Sequence, residues 1–130
     1  MERVLVVDDE ENTRIGLVKL LCHEGYHTEA VANGSEALEY LKNIMVDLVI
    51  TDINMPEMNG LVFLSELNRS HPKMKVVIMT AYGGIGSYLE TVNLGALEYL
   101  YKPVKLHDLK LIISKAFNQT SSLGGFSALS

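Results

Sequence analysis

The chain has 130 residues, 48% hydrophobic and 21% charged, which suffices to bury the core of one domain. Its net charge of −5 and the lack of a basic stripe argue against direct binding of this segment to nucleic acid. No apolar run approaches the roughly 20 residues that span a bilayer, and the N-terminus "MERVLVV" lacks signal-peptide features, so we expect a cytoplasmic protein without membrane association.

Five short aliphatic runs predict strands along the chain. They are "RVLVV" (3 to 7), "HTEAVA" (27 to 32), "DLVIT" (47 to 51), "KVVIMT" (75 to 80) and "EYLY" (98 to 101). Three of them are nearly all apolar, which is typical of strands covered on both faces.

Segments with helical spacing separate these runs. Two apolar stripes stand out, one of Ala37, Leu38, Leu41, Ile44 and Met45, the other of Leu109, Ile112, Ile113 and Ala116. Gly25 is expected to end the first helix and "NGSEA" (33 to 37) to turn into the second. The single cysteine, Cys22, is expected to be a small core residue on a helix. Such alternation implies a doubly wound α/β sandwich around a parallel sheet.

The last third of the chain carries two weaker signals. Residues 81–96 contain four glycines, so the predicted fourth helix should be short and soft. The last helix is expected to end near Asn118. We therefore divide the chain into a domain, 1–118, and a Ser- and Gly-rich segment, 119–130, that is a tail or a linker to a further output domain.

Polar residues stand at the ends of four predicted strands. Asp8 and Asp9 close the first, Asp52 the third, Thr80 the fourth and Lys102 the fifth. Taken singly, each has an ordinary reading as a cap, a turn former, a strand residue or a solvated end. Together they converge on the edge where doubly wound sheets bind ligands. Three carboxylates, an ammonium and a hydroxyl there indicate a functional site.

A divalent cation would relieve the repulsion among the three carboxylates. Mg²⁺ prefers carboxylate and carbonyl oxygens and is commonly completed by phosphate. Lys102 would then pair with one phosphate oxygen and Thr80 would donate a hydrogen bond to another. A carboxylate of Asp52 could attack phosphorus in line, giving an aspartyl phosphate.

Four motifs in this order resemble the receiver domains of two-component response regulators over residues 3 to about 118. They are "VLVVDDEE" (4 to 11), "DLVITDINMPEMNG" (47 to 60), "VVIMTAYG" (76 to 83) and "YLYKP" (99 to 103). The resemblance implies a flavodoxin-like (βα)5 fold with strand order 2-1-3-4-5. "MP" (55 to 56) and Gly60 are also typical of ordinary loops.

The resemblance also implies a role for each site position. Asp52 matches the phosphoacceptor, Asp9 the direct metal ligand, Asp8 the acid that holds metal-bound water, and Asn54 the residue whose backbone carbonyl completes the Mg²⁺ site. Lys102 matches the phosphate-pairing lysine, and its bond to Pro103 is typically cis in the family, although a trans bond remains open. Thr80 matches the switch hydroxyl and Tyr99 the aromatic switch. Tyr101 lies on the same side of the strand, so the choice of Tyr99 rests on the resemblance.

The implied function is a phosphorylation-activated signalling switch. It would accept a phosphoryl group from a sensor histidine kinase or phosphotransfer protein and catalyse only its own phosphorylation and dephosphorylation. It would then control an output domain or partner, or form a homodimer through helix 4, strand 5 and helix 5.

Two alternatives use the same elements. A Mg²⁺-dependent phosphatase of haloacid dehalogenase type would usually have a second Asp at the position of Asn54. A flavodoxin-like module that binds a mononucleotide would need a phosphate-binding loop at residues 8–11, which are acidic here.

Overall fold

The computed structural model describes residues 2–53, 60–81 and 96–125, and only the backbone of residues 118–125. The described strands are β1 (Arg3–Val7), β2 (His27–Val31), β3 (Leu48–Asp52), β4 (Lys75–Thr80) and β5 (Glu98–Tyr101). The described helices are α1 (Glu11–His23), α2 (Gly34–Asn43), α3 (Gly60–Ser70) and the C-terminal helix (Leu106–Gly125). All five predicted strands are therefore confirmed, each with bounds within one residue of the prediction.

The five strands form one parallel sheet in the order β2-β1-β3-β4-β5. This confirms both the doubly wound fold class and the predicted order. The chain places β2 on one side of β1 and β3 on the other, so the strand order reverses between β1 and β3. No helix in the described ranges is long and apolar enough to cross a membrane.

Alternation along the strands divides the core into two layers, because successive side chains point to opposite faces of a sheet. One layer lies beneath α2 and α3 and the other beneath α1 and the C-terminal helix. In β1, for example, Leu5 and Val7 belong to the first layer, and Val4 and Val6 to the second. Most residues of the central strands β1, β3 and β4 are apolar because both faces of these strands are covered.

The start of α2 is held by a reciprocal pair of side-chain hydrogen bonds. Asn33 precedes the helix and its side chain accepts a hydrogen bond of 2.8 Å from the backbone N–H of Glu36. The Glu36 side chain in turn accepts one of 2.9 Å from the backbone N–H of Ala32. Two backbone donors that the helix itself cannot satisfy are thus paired. The predicted turn at residues 33–37 is confirmed as a helix cap.

Replacing Asn33 with alanine should lower the free energy of unfolding by about 1 kcal/mol, because the first turn of α2 loses its cap. The measurement is urea unfolding followed by circular dichroism. Asn43→Ala serves as the control, since Asn43 is an exposed residue at the other end of α2. Equal stability of the two variants would contradict a capping role for Asn33.

Several expectations about helices need correction. The apolar stripe that begins at Ala37 continues in the sequence to Ile44 and Met45. However, α2 ends at Asn43, and both residues lie beyond it and are exposed. Cys22 is exposed rather than part of the core, because α1 buries Leu17 and Leu21 and turns Cys22 away from them. Gly25 follows α1 with a φ of 97°, so its prediction as a helix end is confirmed.

The C-terminal helix runs to Gly125, so the expected helix end near Asn118 is wrong. Once a helix has formed, each added residue extends it without a new nucleation cost, and a polar sequence can therefore continue it. The predicted fourth helix falls mainly on residues 82–95, and Asn54 falls on 54–59, both outside the described residues.

Candidate functional site

The parallel sheet brings the predicted site residues together at one edge. Asp52 is the last residue of β3 and Thr80 the last of β4, while Asp8 directly follows β1 and Lys102 directly follows β5. Because β1, β3, β4 and β5 are consecutive neighbours in the sheet, their carboxyl ends lie side by side. The site thus flanks the point where strand order reverses, the usual ligand position in this fold.

Three carboxylates form the acidic half of the site. Oxygen atoms of Asp8, Asp9 and Asp52 all lie within 4.8 Å of one another. Asp8 is fully buried and Asp52 is 5% exposed, whereas Asp9 is exposed. Burial of carboxylates this close together is unfavourable unless cations neutralise them.

Lys102 supplies one such cation. Its Nζ lies 2.7 Å from Oδ2 of Asp8 and 2.9 Å from Oδ2 of Asp52, so it bridges the two buried carboxylates. Burial lowers the pKa of Lys102, but its contacts with Asp8 and Asp52 more than offset this, and the pKa is raised above its usual value of 10.5. The ammonium form is therefore favoured in the folded protein.

The raised pKa of Lys102 predicts a loss of stability at alkaline pH. The folded protein keeps this proton where the unfolded chain has begun to lose it. The stabilisation is therefore complete below 10.5 and disappears as the pH rises through the folded value. We expect Lys102 to contribute up to about 1.4 kcal/mol per pH unit to that decline. Urea unfolding at a series of pH values between about 10 and about 12 measures the slope.

Lys102→Met should show a shallower alkaline decline than the wild type, because the titrating ammonium is absent. Lys42→Met is the matched control, since Lys42 pairs with Glu39 on the exposed surface of α2. If Lys102→Met and Lys42→Met decline with the same slope as the wild type, the alkaline loss does not come from Lys102.

Thr80 and Tyr99 lie beside the charged cluster. Thr80 is fully buried at the end of β4 and Tyr99 is 9% exposed, whereas Tyr101 is 60% exposed. The two tyrosine rings meet edge to face with centroids 5.4 Å apart. Burial and then Tyr101 raise the pKa of Tyr99, and interaction with the Thr80 side chain opposes the rise. The two tyrosines share a side of β5 but differ in exposure, which their spacing alone could not predict.

The donor set fits a divalent cation such as Mg²⁺. Carboxylate oxygens are its preferred protein ligands, and three of them converge here. Oδ2 of Asp8 is buried, and its partner among the described residues is a cation, the Lys102 ammonium at 2.7 Å. Such an oxygen can serve a cation. Of the predicted site residues, only Asn54 lies outside the described part of the chain, and the bond between Lys102 and Pro103 is cis.

Two residues beside the site were not recognised from the sequence. Arg14 contacts the backbone of Asp8, and Gly60 contacts the backbone that follows Asp52. Arg14 lies in a polar stretch, "EENTRIG", without a distinctive spacing. Gly60 gave the signal of a glycine after a strand, which ordinary loops give as well.

The fold and the site together define a class of protein, the doubly wound α/β domains with an acidic cluster and a lysine at the strand ends. Residues 4–114 match the response regulator receiver domain family. The chain belongs to that family, whose members are the receiver domains of two-component systems. The predicted resemblance is confirmed.

Similar proteins agree with this assignment. Regulatory protein AtoC of Escherichia coli is 36% identical over 121 residues, which cover 93% of this chain and 26% of AtoC. Sporulation initiation phosphotransferase F of Bacillus subtilis is 35% identical over 114 residues, which cover 88% of this chain and 92% of that protein. The chain spans about a quarter of the length of AtoC and of the E. coli regulator ZraR, 26% and 27% respectively.

Solved structures share the fold closely. The response regulator TrrA of Thermotoga maritima, solved in complex with Mg(2+)-BeF, superposes with a TM-score of 0.81 at 38% identity, covering 89% of this chain and 99% of that one. A CheY-like receiver domain from Methanospirillum hungatei superposes with a TM-score of 0.87 at 31% identity, covering 94% and 98%.

Proposed function

We propose that this chain is a phosphorylation-activated switch that carries the phosphoryl group on Asp52. The observation that carries the proposal is the convergence of three carboxylates within 4.8 Å of one another on a lysine that contacts two of them. A site that holds both a cation and an ammonium next to one carboxylate suits transfer of a doubly charged phosphoryl group.

Each residue has a defined task in the transfer. An oxygen of Asp52 attacks phosphorus, so that an O–P bond forms while the bond from phosphorus to the donor breaks and its electron pair leaves with the donor. Lys102 pairs with a phosphoryl oxygen, and Thr80 donates a hydrogen bond to another. Asp9 and Asp52 would hold Mg²⁺, Asp8 would hold a metal-bound water, and Asn54 would add its backbone carbonyl. When bound, Mg²⁺ neutralises charge on the phosphoryl oxygens.

Thr80 and Tyr99 then link the phosphoryl group to the surface. When Thr80 moves toward the phosphoryl group, its place beside Tyr99 becomes free and the buried ring can shift into it. The phosphoryl group binds one arrangement better than the other and so shifts the population toward it. The remodelled surface would include β5, the predicted fourth helix and the C-terminal helix.

The phosphoryl donor is proposed to be a sensor histidine kinase or a phosphotransfer protein in the cytoplasm. Sporulation initiation phosphotransferase F, a relative of similar length, supports a relay partner, and AtoC and ZraR support a regulator with further domains. The remodelled surface would then contact an output domain, a partner or a second copy of this chain.

We propose further that the chain catalyses only its own phosphorylation and dephosphorylation, and that in the latter water attacks phosphorus, the bond to Asp52 breaks, and phosphate leaves with the Asp52 carboxylate restored. The family assignment favours this over the phosphatase alternative. Turnover of a generic aryl phosphate by the purified protein would contradict it.

The test of the proposed function is incubation with acetyl phosphate and Mg²⁺, followed by intact-mass measurement. Acetyl phosphate is a small donor, so the reaction needs no kinase. We expect one phosphoryl group per chain with Mg²⁺ and almost none with excess chelator, because uncompensated carboxylates repel the donor. No adduct in the presence of Mg²⁺ would refute the proposal.

A further inference from the structure

Asp8 is held in place by its ion pair with Lys102, at 2.7 Å, and by three hydrogen bonds that involve backbone atoms or its Oδ1. Its backbone N–H donates to the carbonyl of Val31 at 3.1 Å. Its Oδ1 accepts from the backbone N–H of Glu10 at 2.8 Å. Its backbone carbonyl accepts from Nη1 of Arg14 at 2.8 Å. Two side chains therefore contact Asp8 among the described residues, and Arg14 is the one that contacts its backbone rather than its carboxylate.

The carbonyl that Arg14 binds belongs to the peptide joining Asp8 to Asp9. Rotation of that peptide would turn both carboxylates relative to Asp52. Asp9 is exposed, and within the described residues its side chain makes no hydrogen bond of its own, so its direction depends on the backbone. A hydrogen bond from a guanidinium to this carbonyl is charge-assisted and resists the rotation.

The position of Arg14 is itself fixed by the helix that carries it. It lies in the first turns of α1, half-buried, and its backbone N–H donates to the carbonyl of Glu10 at 3.1 Å. No carboxylate in the described ranges lies within ion-pair distance of its guanidinium, which is directed at a neutral carbonyl instead. A surface arginine with only an electrostatic role would be expected to face an acid.

We propose that Arg14 is a positioning residue for the metal site, which fixes the peptide between Asp8 and Asp9 so that both carboxylates face the cation. The inference rests on the proposed function in one respect, the binding of Mg²⁺ by this cluster. Mg²⁺ tolerates little departure from octahedral geometry, and outer partners of metal ligands commonly affect affinity by 10- to 100-fold.

The test compares Mg²⁺ binding by Arg14→Met, Arg14→Lys and Arg69→Met, measured by isothermal titration calorimetry on the whole chain. Arg69 pairs with Glu66 on the exposed surface of α3 and serves as the matched control. We expect the Mg²⁺ dissociation constant to rise about 10-fold in Arg14→Met. Arg14→Lys should recover part of the affinity because its ammonium can donate one hydrogen bond, and Arg69→Met should match the wild type.

A second readout separates positioning from general support of the fold. The rate of phosphorylation by acetyl phosphate is measured as a function of Mg²⁺ concentration. For a positioning residue, the half-saturating concentration rises in Arg14→Met while the rate at saturating Mg²⁺ stays within about 2-fold of the wild type. Wild-type Mg²⁺ affinity in Arg14→Met, whatever its thermal stability, would overturn the proposal. If that variant does not fold, Arg14→Ala takes its place, and wild-type Mg²⁺ affinity in Arg14→Ala would overturn the proposal.

Failure of the proposed function gives a different pattern. If the wild type binds Mg²⁺ but takes no phosphoryl group, the proposed function fails and calorimetry still decides the role of Arg14. If the wild type binds no Mg²⁺, the role assigned to Arg14 fails with it.

Discussion

Replacing Asp52 with asparagine is expected to abolish phosphorylation by acetyl phosphate in the presence of Mg²⁺. The amide has nearly the same size as the carboxylate but is a poor nucleophile, so no O–P bond can form at this position. The number of phosphoryl groups per chain, measured by intact mass, should therefore fall from up to one to none. Because the shape is preserved, the circular dichroism spectrum should match that of the wild type.

The choice of Asp52 among the three acids rests on the family resemblance, and the geometry is compatible with it. Asp52 ends the central strand β3 and lies 2.9 Å from the Lys102 ammonium, which can therefore pair with a phosphoryl group on its carboxylate. Asp8 is fully buried and Asp52 is 5% exposed, so Asp52 is the more accessible of the two buried carboxylates. Asp9 is exposed, and no described cation lies within ion-pair distance of it.

The matched control for this experiment is Asp108→Asn. Asp108 is an exposed aspartate in the first turn of the C-terminal helix. Its replacement should leave the number of phosphoryl groups per chain unchanged. An undiminished adduct in Asp52→Asn, or its loss in Asp108→Asn, would refute the assignment of Asp52 as the acceptor.

The sheet and the convergence of the site could be predicted from the sequence because both follow from local patterns. Short aliphatic runs that alternate with helical segments admit few topologies, and parallel strands bring their carboxyl ends to one edge. The ends of these runs carry Asp8, Asp52, Thr80 and Lys102. Residues at the ends of neighbouring parallel strands are therefore predicted to lie close together.

What the sequence could not provide depends on packing between distant segments. The apolar stripe of α2 does not reveal that Ile44 and Met45 lie beyond the helix. The helical spacing of apolar residues continues in the sequence after the helix has ended. The contact from Arg14 to the carbonyl of Asp8 involves a backbone atom, which has no sequence signature. The pairing of Lys102 with Asp8 as well as Asp52 likewise depends on the angle at which β5 ends.

Gly60 is the residue whose importance the sequence most understates. It begins α3, and its backbone N–H donates to the carbonyl of Ile53 at 2.7 Å. A Cβ at this position would lie 2.3 Å from Cα of Ile53 and 2.9 Å from the carbonyl oxygen of Asp52. Both are backbone atoms of the segment that carries the proposed acceptor, so no side-chain rotation can relieve the overlap.

Gly60→Ala should therefore lower the free energy of unfolding by about 3 kcal/mol, at the upper end of what overpacking costs, because the start of α3 must move away from the end of β3. Urea unfolding followed by circular dichroism measures the loss. The control is Gly16→Ala in α1, where a Cβ meets nothing within 4 Å and alanine should stabilise the helix by roughly 0.5–1 kcal/mol. Because the two substitutions are chemically identical, opposite signs would isolate the backbone contact at Gly60. A Gly60→Ala variant as stable as the wild type would mean that α3 can shift from β3 without cost, and the geometry of Asp52 would then not depend on it.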